Sequence, residues 1–394
     1  MELLIKNARV IDASQDFKGD VYIKFGTIQE LGANLTKNCE TIDAEGLVLM
    51  PSFVDLHAHF RDPGQTYKED IYSGSLAAAC GGYTAVNLMA NTNPVCSHME
   101  TVNYVLDKSR TLDLIDIHQT VSITKDMQGE CTKHLDSLDA EVKMISDDGR
   151  GVSDSKVMLE AMNKAKEKNI MVISHAESEE LTEVDTRLAE NTMTWRDITL
   201  AKFTGCHLHV AHVSTKEAMK SVIEAKKDGV KVSCEVTPHH LALTKETDYR
   251  VNPPLRENED IDYLIEAIRE GFVDTIATDH APHSYEDKLK GANGISGIET
   301  AFSVCFTKLV EEGHITLNKL SELMSKNPAK LMRVNKGEIK IGYEGDLVLA
   351  DLNSSYVVDA SSFKSKGKNT PFSGKVLKGE IIKTIKGGRV IFSK

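Results

Sequence analysis

Short apolar runs alternate with amphipathic segments along most of the chain. Eight runs rich in branched apolar residues each predict a strand, near residues 50–59, 84–90, 114–123, 140–147, 170–176, 207–213, 230–237 and 274–279. Helical patterns separate most of them, for example Ser153–Lys168, with Ser153 as its expected N-cap, and Lys216–Lys227. Repeated strand–helix units are typical of a parallel sheet, and eight of them predict an α/β fold, a closed (β/α)₈ TIM barrel.

The two ends of the chain follow a different pattern. Short strands with turns are predicted in four segments, Leu3–Ile11, Asp20–Ile28, Gly345–Asp351 and Ile381–Phe392. We expect both ends to pair in one small β domain of residues 1–50 and 337–394, while residues 51–336 form the barrel. No long linker or internal repeat separates these parts, so they should pack closely.

Composition and charge exclude several classes of function. The chain has 394 residues and a formal net charge of -12 at pH 7, which offers no basic surface for nucleic acid or for an anionic membrane. The seven cysteines are scattered and include no CxxC pair, as expected for reduced thiols in a cytoplasmic protein. No apolar run approaches the ~20 residues of a membrane span, and the N-terminus lacks the apolar region of a signal peptide.

The first predicted barrel strand ends in an unusual run of polar side chains, Asp55-Leu-His-Ala-His-Phe-Arg-Asp-Pro-Gly64. Residues two apart share a strand face, so His57, His59 and Arg61 are expected to point the same way. Two imidazoles that converge on one point indicate a metal site, because buried histidines in an apolar strand otherwise lack hydrogen-bond partners.

Three more strands end in residue types that bind metals. His175 closes the fifth strand, His212 the sixth and Asp279 the eighth. Barrel enzymes place their active sites at this end of the strands. With His57 and His59, these side chains are therefore predicted to form one metal centre.

Strand parity separates the neighbouring histidines of the sixth strand. His212 shares a face with Leu208 and Val210 and is expected to point into the barrel. His207 and His209 are expected to face the surrounding helices, so His212 is the only predicted ligand among the three.

The number of histidines predicts two metal ions rather than one. Four histidines would occupy all four coordination positions of a single zinc ion, yet a catalytic zinc keeps one position open for water. We expect His57, His59 and Asp279 to hold one ion, and His175 and His212 to hold the other. A carboxylate or a carbamylated lysine at the end of the fourth strand would bridge the two ions.

These residues resemble the amidohydrolase superfamily and, within it, the bacterial type I dihydroorotases. The resemblance covers nearly the whole chain and is carried by HAHFRDPG (57–64), MANTNP (89–94), SDDG (146–149), AHVST (211–215), NPPLR (252–256) and ATDHAPH (277–283). It implies an amidohydrolase-type barrel, a homodimer and two Zn²⁺ ions per chain. The implied metal ligands are His57, His59, Asp148, His175, His212 and Asp279, with Asp148 as the bridge, and the implied substrate-binding residues are Arg61, Asn91, Asn252 and His283.

The bridging ligand has one alternative. Related amidohydrolases use a carbamylated lysine on the fourth strand, and Lys143 lies five residues before Asp148. In a regular strand Lys143 lies on the opposite face from Asp148, and this alternation favours Asp148.

The implied reaction is the reversible cyclisation of N-carbamoyl-L-aspartate to (S)-dihydroorotate plus water, in de novo pyrimidine (UMP) biosynthesis. A zinc-activated hydroxide would attack the ring carbonyl, and Asp279 would act as general base and then general acid. A guanidinium suits the carboxylate of dihydroorotate, so Arg61 is expected to bind it, with Asn91 and His283 as further partners. Asn91 and Asn252 also lie in turn-forming sequences, which is a structural explanation for both.

Two other functions stay open. A hydantoinase or allantoinase would open an uncharged cyclic amide with the same metals, and the loop 284–297, short for the family, allows a changed substrate. Arg61 and Asn91 argue against this, because an uncharged ring needs no carboxylate clamp. The second alternative is a non-catalytic subunit that assembles with aspartate transcarbamoylase, although such a subunit is expected to lack metal ligands. The connection Ala176–Arg196 is also short, and no role is assigned to it.

Overall fold

The computed structural model describes residues 1–394. Its strands are β1 (Glu2–Ile11), β2 (Asp16–Lys24), β3 (Thr27–Gly32), β4 (Glu40–Asp43), β5 (Val48–Pro51), β6 (Phe53–Ala58), β7 (Tyr83–Leu88), β8 (Asp116–Gln119), β9 (Met144–Ile145), β10 (Met171–Ser174), β11 (Leu208–Val210), β12 (Val232–Val236), β13 (Thr275–Ile276), β14 (Leu347–Val357), β15 (Val376–Lys386) and β16 (Arg389–Ser393). Its α-helices are α1 (Ile71–Cys80), α2 (Met99–Leu112), α3 (Ser155–Glu167), α4 (Glu179–Thr182), α5 (Thr186–Thr204), α6 (Lys216–Lys227), α7 (Pro238–Ala242), α8 (Asn258–Arg269), α9 (Tyr285–Leu289), α10 (Ala301–Cys305), α11 (Leu317–Ser321) and α12 (Asn327–Met332). Two π-helical segments, Phe306–Glu311 and Glu322–Lys326, continue α10 and α11.

Strands from both ends of the chain form one eight-stranded sheet, in the order β16-β15-β14-β5-β1-β2-β3 with β4 beside β1. The first segment of the chain thereby pairs with the last, since β5 is antiparallel to β14. The segment Ile381–Phe392, where short strands with turns are predicted, contains the end of β15 and most of β16. Gly387 and Gly388 form the turn between them with φ angles of 57° and 84°, which favour glycine.

Strands β6 to β13 are parallel and form the barrel. They group as β6-β7-β8 and β13-β12-β11-β10-β9, and isolated parallel bridges Ala58–His280 and Val121–Ile145 join the two groups. This confirms the predicted fold class, a (β/α)₈ barrel with a small β domain built from both chain ends. The exact domain boundaries stay a prediction.

Several barrel strands are shorter than their apolar runs. The predicted strands over 140–147 and 274–279 contain only the two-residue strands β9 and β13. At the carboxyl ends the backbone leaves the extended region: His212 and Asp279 have φ angles of 32° and 46°. The polar residues that end these runs therefore lie beyond the hydrogen-bonded part of the strands, in bends at the carboxyl end of the barrel.

Two of the predicted helices show how caps determine helix ends. Helix α6 has the predicted bounds, and Thr215 caps it by accepting from Ala218 N. Helix α3 begins one residue later than a Ser153 cap predicts, because Asp154 and not Ser153 is its N-cap. The connection Ala176–Arg196 contains α4 and the first half of α5.

Apolar side chains fill the barrel below the site. Val54, Leu56, Met144, Met171 and Ile173 are buried together in its interior, while a larger apolar layer lies between the strands and the helices. The interior is therefore a packed core, and polar chemistry is confined to the carboxyl end. No helix is long and apolar enough to cross a membrane.

Candidate metal centre and substrate pocket

All six predicted metal ligands converge at the carboxyl end of the barrel, and each is at most 7% exposed: His57, His59, Asp148, His175, His212 and Asp279. Asp148 lies at the centre. Its Oδ1 is 3.2 Å from His57 Nε2, 3.3 Å from His175 Nδ1 and 3.5 Å from His212 Nε2. Its Oδ2 is 3.4 Å from His59 Nε2. A carboxylate in contact with four imidazoles is in the position that a bridging ligand requires.

Asp279 contacts one side of this cluster. Its Oδ1 is 3.1 Å from His59 Nε2 and 3.6 Å from His57 Nε2. The six residues include two groups whose candidate ligand atoms all lie within 4.8 Å of one another, namely His57, His59 and Asp279, and His57, Asp148 and His212. The first group is the set expected for one ion, whereas the second group contains His212 and the expected bridge Asp148 with His57 in place of His175. That these residues bind metal stays a prediction.

Hydrogen bonds orient the imidazoles toward the centre of the cluster. His57 Nδ1 donates to Glu235 Oε1 at 2.6 Å and His59 Nδ1 donates to Asn91 Oδ1 at 2.8 Å, so that both Nε2 atoms face the aspartates of the cluster. His175 is reversed: its Nε2 donates to Glu177 Oε2 at 2.8 Å, and its Nδ1 points at Asp148. An imidazole whose N–H is held by an outer partner presents a lone pair on the other nitrogen, as metal-binding histidines do.

Three atoms in the cluster are buried without a hydrogen-bond partner, namely His57 Nε2, His212 Nδ1 and Asp148 Oδ1. An unpaired carboxylate oxygen in the interior is costly, and a bound cation would compensate it. The donor set of imidazole nitrogens and carboxylate oxygens suits Zn²⁺. The residues present therefore fit a metal centre.

The parity argument for the sixth strand is wrong. Leu208 and Val210 pack in the outer apolar layer, whereas His209 faces the interior, where its Nε2 donates to Glu235 Oε2 at 3.1 Å. His207 Nε2 likewise contacts Ser233 Oγ, at 3.0 Å. His212 enters the site because its left-handed backbone conformation ends the alternation of the strand.

Glu235 is a site residue that the sequence analysis missed. It is fully buried on β12, binds His57, and accepts from His212 N at 3.2 Å. Burial alone would raise the pKa of Glu235, but the His57 and His209 imidazoles lower it to about 2. The available signal was a single carboxylate in the otherwise uncharged strand Val232–Val236.

Glu177 and the two predicted asparagines lie around the ligands. Asn252 Nδ2 donates to Glu177 Oε2 at 2.8 Å, and Asn91 Nδ2 donates to the Asp148 carbonyl at 3.3 Å. Burial would raise the pKa of Glu177, but its contacts with His175 and Asn252 lower it to about 2. The asparagines thus orient metal-centre residues here, and their contact with substrate stays a prediction.

A cavity of about 190 Å³ opens beside the cluster, with Arg61, Asn91, Asn252 and His283 in its wall. Arg61 is 9% exposed, and its Nη2 donates to His283 Nε2 at 3.3 Å. Burial, Arg61 and Lys68 together lower the pKa of His283 to about 3, so this imidazole is neutral and can accept. The structure therefore brings all four predicted substrate residues to one cavity.

The last part of the chain holds the His283 loop in place. Asn369 Oδ1 accepts from His283 N at 2.9 Å, and Asn369 Nδ2 donates to the Gly294 carbonyl at 3.0 Å. Within the loop 284–297, Lys288 Nζ donates to the carbonyls of Ala292 and Gly294. Hydrogen bonds within the loop and from Asn369 in the C-terminal segment therefore hold its conformation.

Lys143, the alternative bridge, lies elsewhere. Its Nζ donates to the Met332 carbonyl at 3.1 Å, and the side chain lines a separate cavity at the amino end of the strands with Asp116 and Glu344. In this conformation Lys143 does not reach the cluster, whereas Asp148 lies at its centre. That Asp148 bridges two metal ions stays a prediction.

Comparison with known proteins agrees with this architecture. A family model described as "Amidohydrolase family" matches residues 48–391. The chain belongs to the amidohydrolase family. This amidohydrolase is 58% identical over 398 aligned positions to a dihydroorotase of Clostridium botulinum, and 40% identical over 425 to one of Geobacter metallireducens, each alignment covering 100% of both chains. The resemblance to dihydroorotases found in the sequence is thereby confirmed.

Solved structures of related enzymes share the fold. The amidohydrolase superposes on a dihydropyrimidinase of Brevibacillus agri with a TM-score of 0.90 and 25% identity, covering 99% of this chain and 95% of that one. It superposes on the L-hydantoinase of Arthrobacter aurescens with a TM-score of 0.87 and 26% identity, covering 100% and 96%. Members of this family are generally metal-dependent.

Proposed function

We propose that this amidohydrolase is a dihydroorotase, which interconverts N-carbamoyl-L-aspartate and (S)-dihydroorotate in de novo pyrimidine biosynthesis. The full-length similarity to dihydroorotases supports the assignment. The structural observation that most directly supports the assignment is the environment of the buried Arg61 guanidinium.

Arg61 is a buried guanidinium with no carboxylate partner. Its polar contacts are the Pro282 carbonyl at 3.4 Å and His283. Arg256, which is also buried, instead pairs with Glu190 at 3.0 Å. An unpaired buried charge is costly, so the cavity at Arg61 is suited to a ligand that brings a carboxylate. Dihydroorotate and N-carbamoyl-L-aspartate both do so, and an uncharged hydantoin does not.

The metal centre would be held by six residues of the chain. His57, His59 and Asp279 would hold one Zn²⁺ ion, His175 and His212 a second, with Asp148 shared between them. Bound there, the ions would lower the pKa of water and polarise the ring carbonyl.

The side chains then divide the work of the reaction. Arg61 binds the substrate carboxylate and so fixes the ring against the cluster. Asp279, which faces both the cavity and His59, takes the proton of the attacking water and delivers it to the departing ring nitrogen. In the biosynthetic direction the same carboxylate acts in the reverse order, and water leaves.

The test uses one purified sample of the full chain. We expect about two zinc ions per chain and ultraviolet loss of dihydroorotate, with no turnover of hydantoin or allantoin. Arg61→Met should lose dihydroorotate turnover while it retains its zinc, because the arginine touches substrate and no metal ligand. Turnover of hydantoin alone would establish the hydantoinase alternative, and absence of both zinc and turnover would favour the non-catalytic subunit.

A homodimer, and an association with aspartate transcarbamoylase, are also part of the proposal through the resemblance. Dihydroorotase activity of the isolated chain, compared with its activity after mixing with the transcarbamoylase, would test the second. An unchanged rate and separate elution of the two proteins would reject that association.

A further inference from the structure

Glu69 is a fully buried carboxylate that takes no part in the proposed reaction, and its only basic partner is His280. A buried carboxylate is costly unless both of its oxygens accept hydrogen bonds. Oε1 of Glu69 accepts from Ser73 Oγ and from Lys366 N, the latter at 3.2 Å. Oε2 accepts from Ser365 Oγ and from His280 Nε2, the latter at 3.4 Å. One side chain thus joins α1, the C-terminal segment and the residue that follows Asp279.

The imidazole of His280 has a fixed direction of hydrogen bonding. Its Nδ1 lies 3.2 Å from the backbone nitrogen of Gly297 and 3.5 Å from that of Ile298. Because a backbone N–H group can only donate, Nδ1 is the acceptor and the proton of this imidazole lies on Nε2. That proton points at Glu69. The imidazole therefore connects the carboxylate to the end of the loop 284–297.

The main chain of His280 borders the proposed general base and acid. Asp279 has a φ angle of 46°, a left-handed conformation that persists only where the surrounding structure holds it. The His280 carbonyl accepts from His59 N at 2.8 Å, and His280 N donates to Thr278 Oγ1 at 3.0 Å. The residue after the bend is therefore held through both its main chain and its side chain.

We propose that Glu69 is a positioning residue for the reaction. By holding the His280 imidazole, it fixes the bend at Asp279 and with it the direction of the carboxylate that transfers the proton. This inference rests on the proposed function, in which Asp279 is general base and then general acid.

An amide cannot replace the Glu69 carboxylate. Oε1 faces the backbone N–H of Lys366 and Oε2 faces the Nε2 proton of His280, and neither hydrogen can turn away. In Glu69→Gln the amide either presents a second donor to His280 or accepts from it more weakly than a carboxylate does. The variant therefore weakens the hold on His280 in both orientations, while the size of the side chain hardly changes.

The first test compares kcat and KM for dihydroorotate in the full-length enzyme with its zinc bound. We expect Glu69→Gln to lower kcat by about 10- to 100-fold, because small displacements of a catalytic group have effects of this size. KM should stay within about threefold of the wild type, since Arg61 keeps its contacts. Zinc content per chain should be unchanged, because neither the Glu69 nor the His280 side chain contacts a candidate metal ligand.

Glu299→Gln is the matched control. Glu299 also accepts from backbone N–H groups of the C-terminal segment, those of Lys364 at 2.9 Å and Ser365 at 3.0 Å, and it does not contact His280. This variant should lose a similar amount of stability in urea denaturation and keep kcat within about twofold of the wild type. Equal losses of kcat in the two variants would assign the effect to the C-terminal segment and reject positioning through His280.

A second variant breaks the same contact from the other side. The shorter side chain of His280→Asn retains an oxygen that can accept from Gly297 N, but it cannot reach Glu69. We expect the same fall in kcat as in Glu69→Gln. A kcat within about threefold of the wild type in either variant would overturn the proposal.

Combination with Asp279→Asn separates positioning from a general structural effect. If Glu69 acts through the Asp279 carboxylate, Glu69→Gln should lower kcat by less than about threefold when that carboxylate is absent. Losses that multiply in the double variant would overturn the proposal. Unchanged turnover in Asp279→Asn alone would instead contradict the proposed function, so the two failures are distinguishable.

Discussion

Two clusters of charged side chains lie at opposite ends of the barrel, one buried and the other partly buried. The metal centre at the carboxyl end gathers four histidines and two aspartates. At the amino end, Lys336 is 4% exposed and its ammonium contacts three carboxylates, Asp116 at 2.5 Å, Glu344 at 3.0 Å, and Asp346. We call this group the Lys336 cluster. Its three carboxylates are as close to one another as the candidate metal ligands are, within 4.8 Å.

The difference lies in where the compensating charge comes from. In the Lys336 cluster the chain supplies its own cation: burial would lower the pKa of Lys336, but the surrounding carboxylates raise it. In the metal centre no ammonium or guanidinium pairs with Asp148, and buried polar atoms remain unpartnered. Unpartnered atoms, more than the density of acidic groups, therefore distinguish a ligand site from a structural ion-pair network.

The largest expected effect is at Asp279. Asp279→Asn should reduce kcat for dihydroorotate by about 10³-fold, since the amide cannot accept the proton in catalysis. Zinc content per chain should stay near that of the wild type, because five other ligands remain. Asp116→Asn, the same change in the Lys336 cluster, should leave kcat unchanged. A kcat of Asp279→Asn within tenfold of the wild type would contradict the assigned role.

The Lys336 cluster should respond in stability instead of activity. Lys336→Met leaves Asp346, which is 3% exposed, without its cation, and we expect the free energy of unfolding to fall by about 3 kcal/mol. Urea denaturation measures this, with Lys18→Met as a control at an exposed pair. Turnover per folded molecule should be unchanged. A loss below about 1 kcal/mol would show that the cluster is not the structural network described here.

Glu235 tests whether the histidines of the metal centre need their outer partners. Glu235→Gln should weaken zinc binding by about 10- to 100-fold, because the amide orients His57 less strongly than the carboxylate does. Competition with a chromophoric chelator gives the dissociation constant. Glu344→Gln, in the Lys336 cluster, should not change it. Equal zinc affinity in both variants would mean that Glu235 only fills space.

The smallest expected effect is the pH dependence of KM, which the protonation of His283 beside Arg61 would determine. Because burial, Arg61 and Lys68 lower the pKa of His283 to about 3, this histidine takes up a proton only well below pH 5. The KM for dihydroorotate should therefore vary by less than about twofold between pH 5.5 and 8. A step in KM near pH 6.5 would show that His283 titrates normally.

The sequence was sufficient to bring together the candidate metal ligands because these residues occur at strand ends, where apolar runs stop at histidine or aspartate. Spacing could not predict how they are oriented. The parity of the sixth strand failed because His212 adopts a positive φ, and bends of this kind depend on neighbouring strands. Glu235 and Glu177 were missed since their role is to hold other side chains, which becomes visible only when distant segments meet.

The contact of Asn369 with the His283 loop has a consequence for synthesis of the protein. All six candidate metal ligands have left the ribosome well before residue 369 is translated. A nascent or prematurely terminated chain that ends before this residue could acquire metal, yet its His283 loop would lack both hydrogen bonds to Asn369. Substrate selection is thus completed last, and truncated products of translation would be poor enzymes even when their barrels are intact.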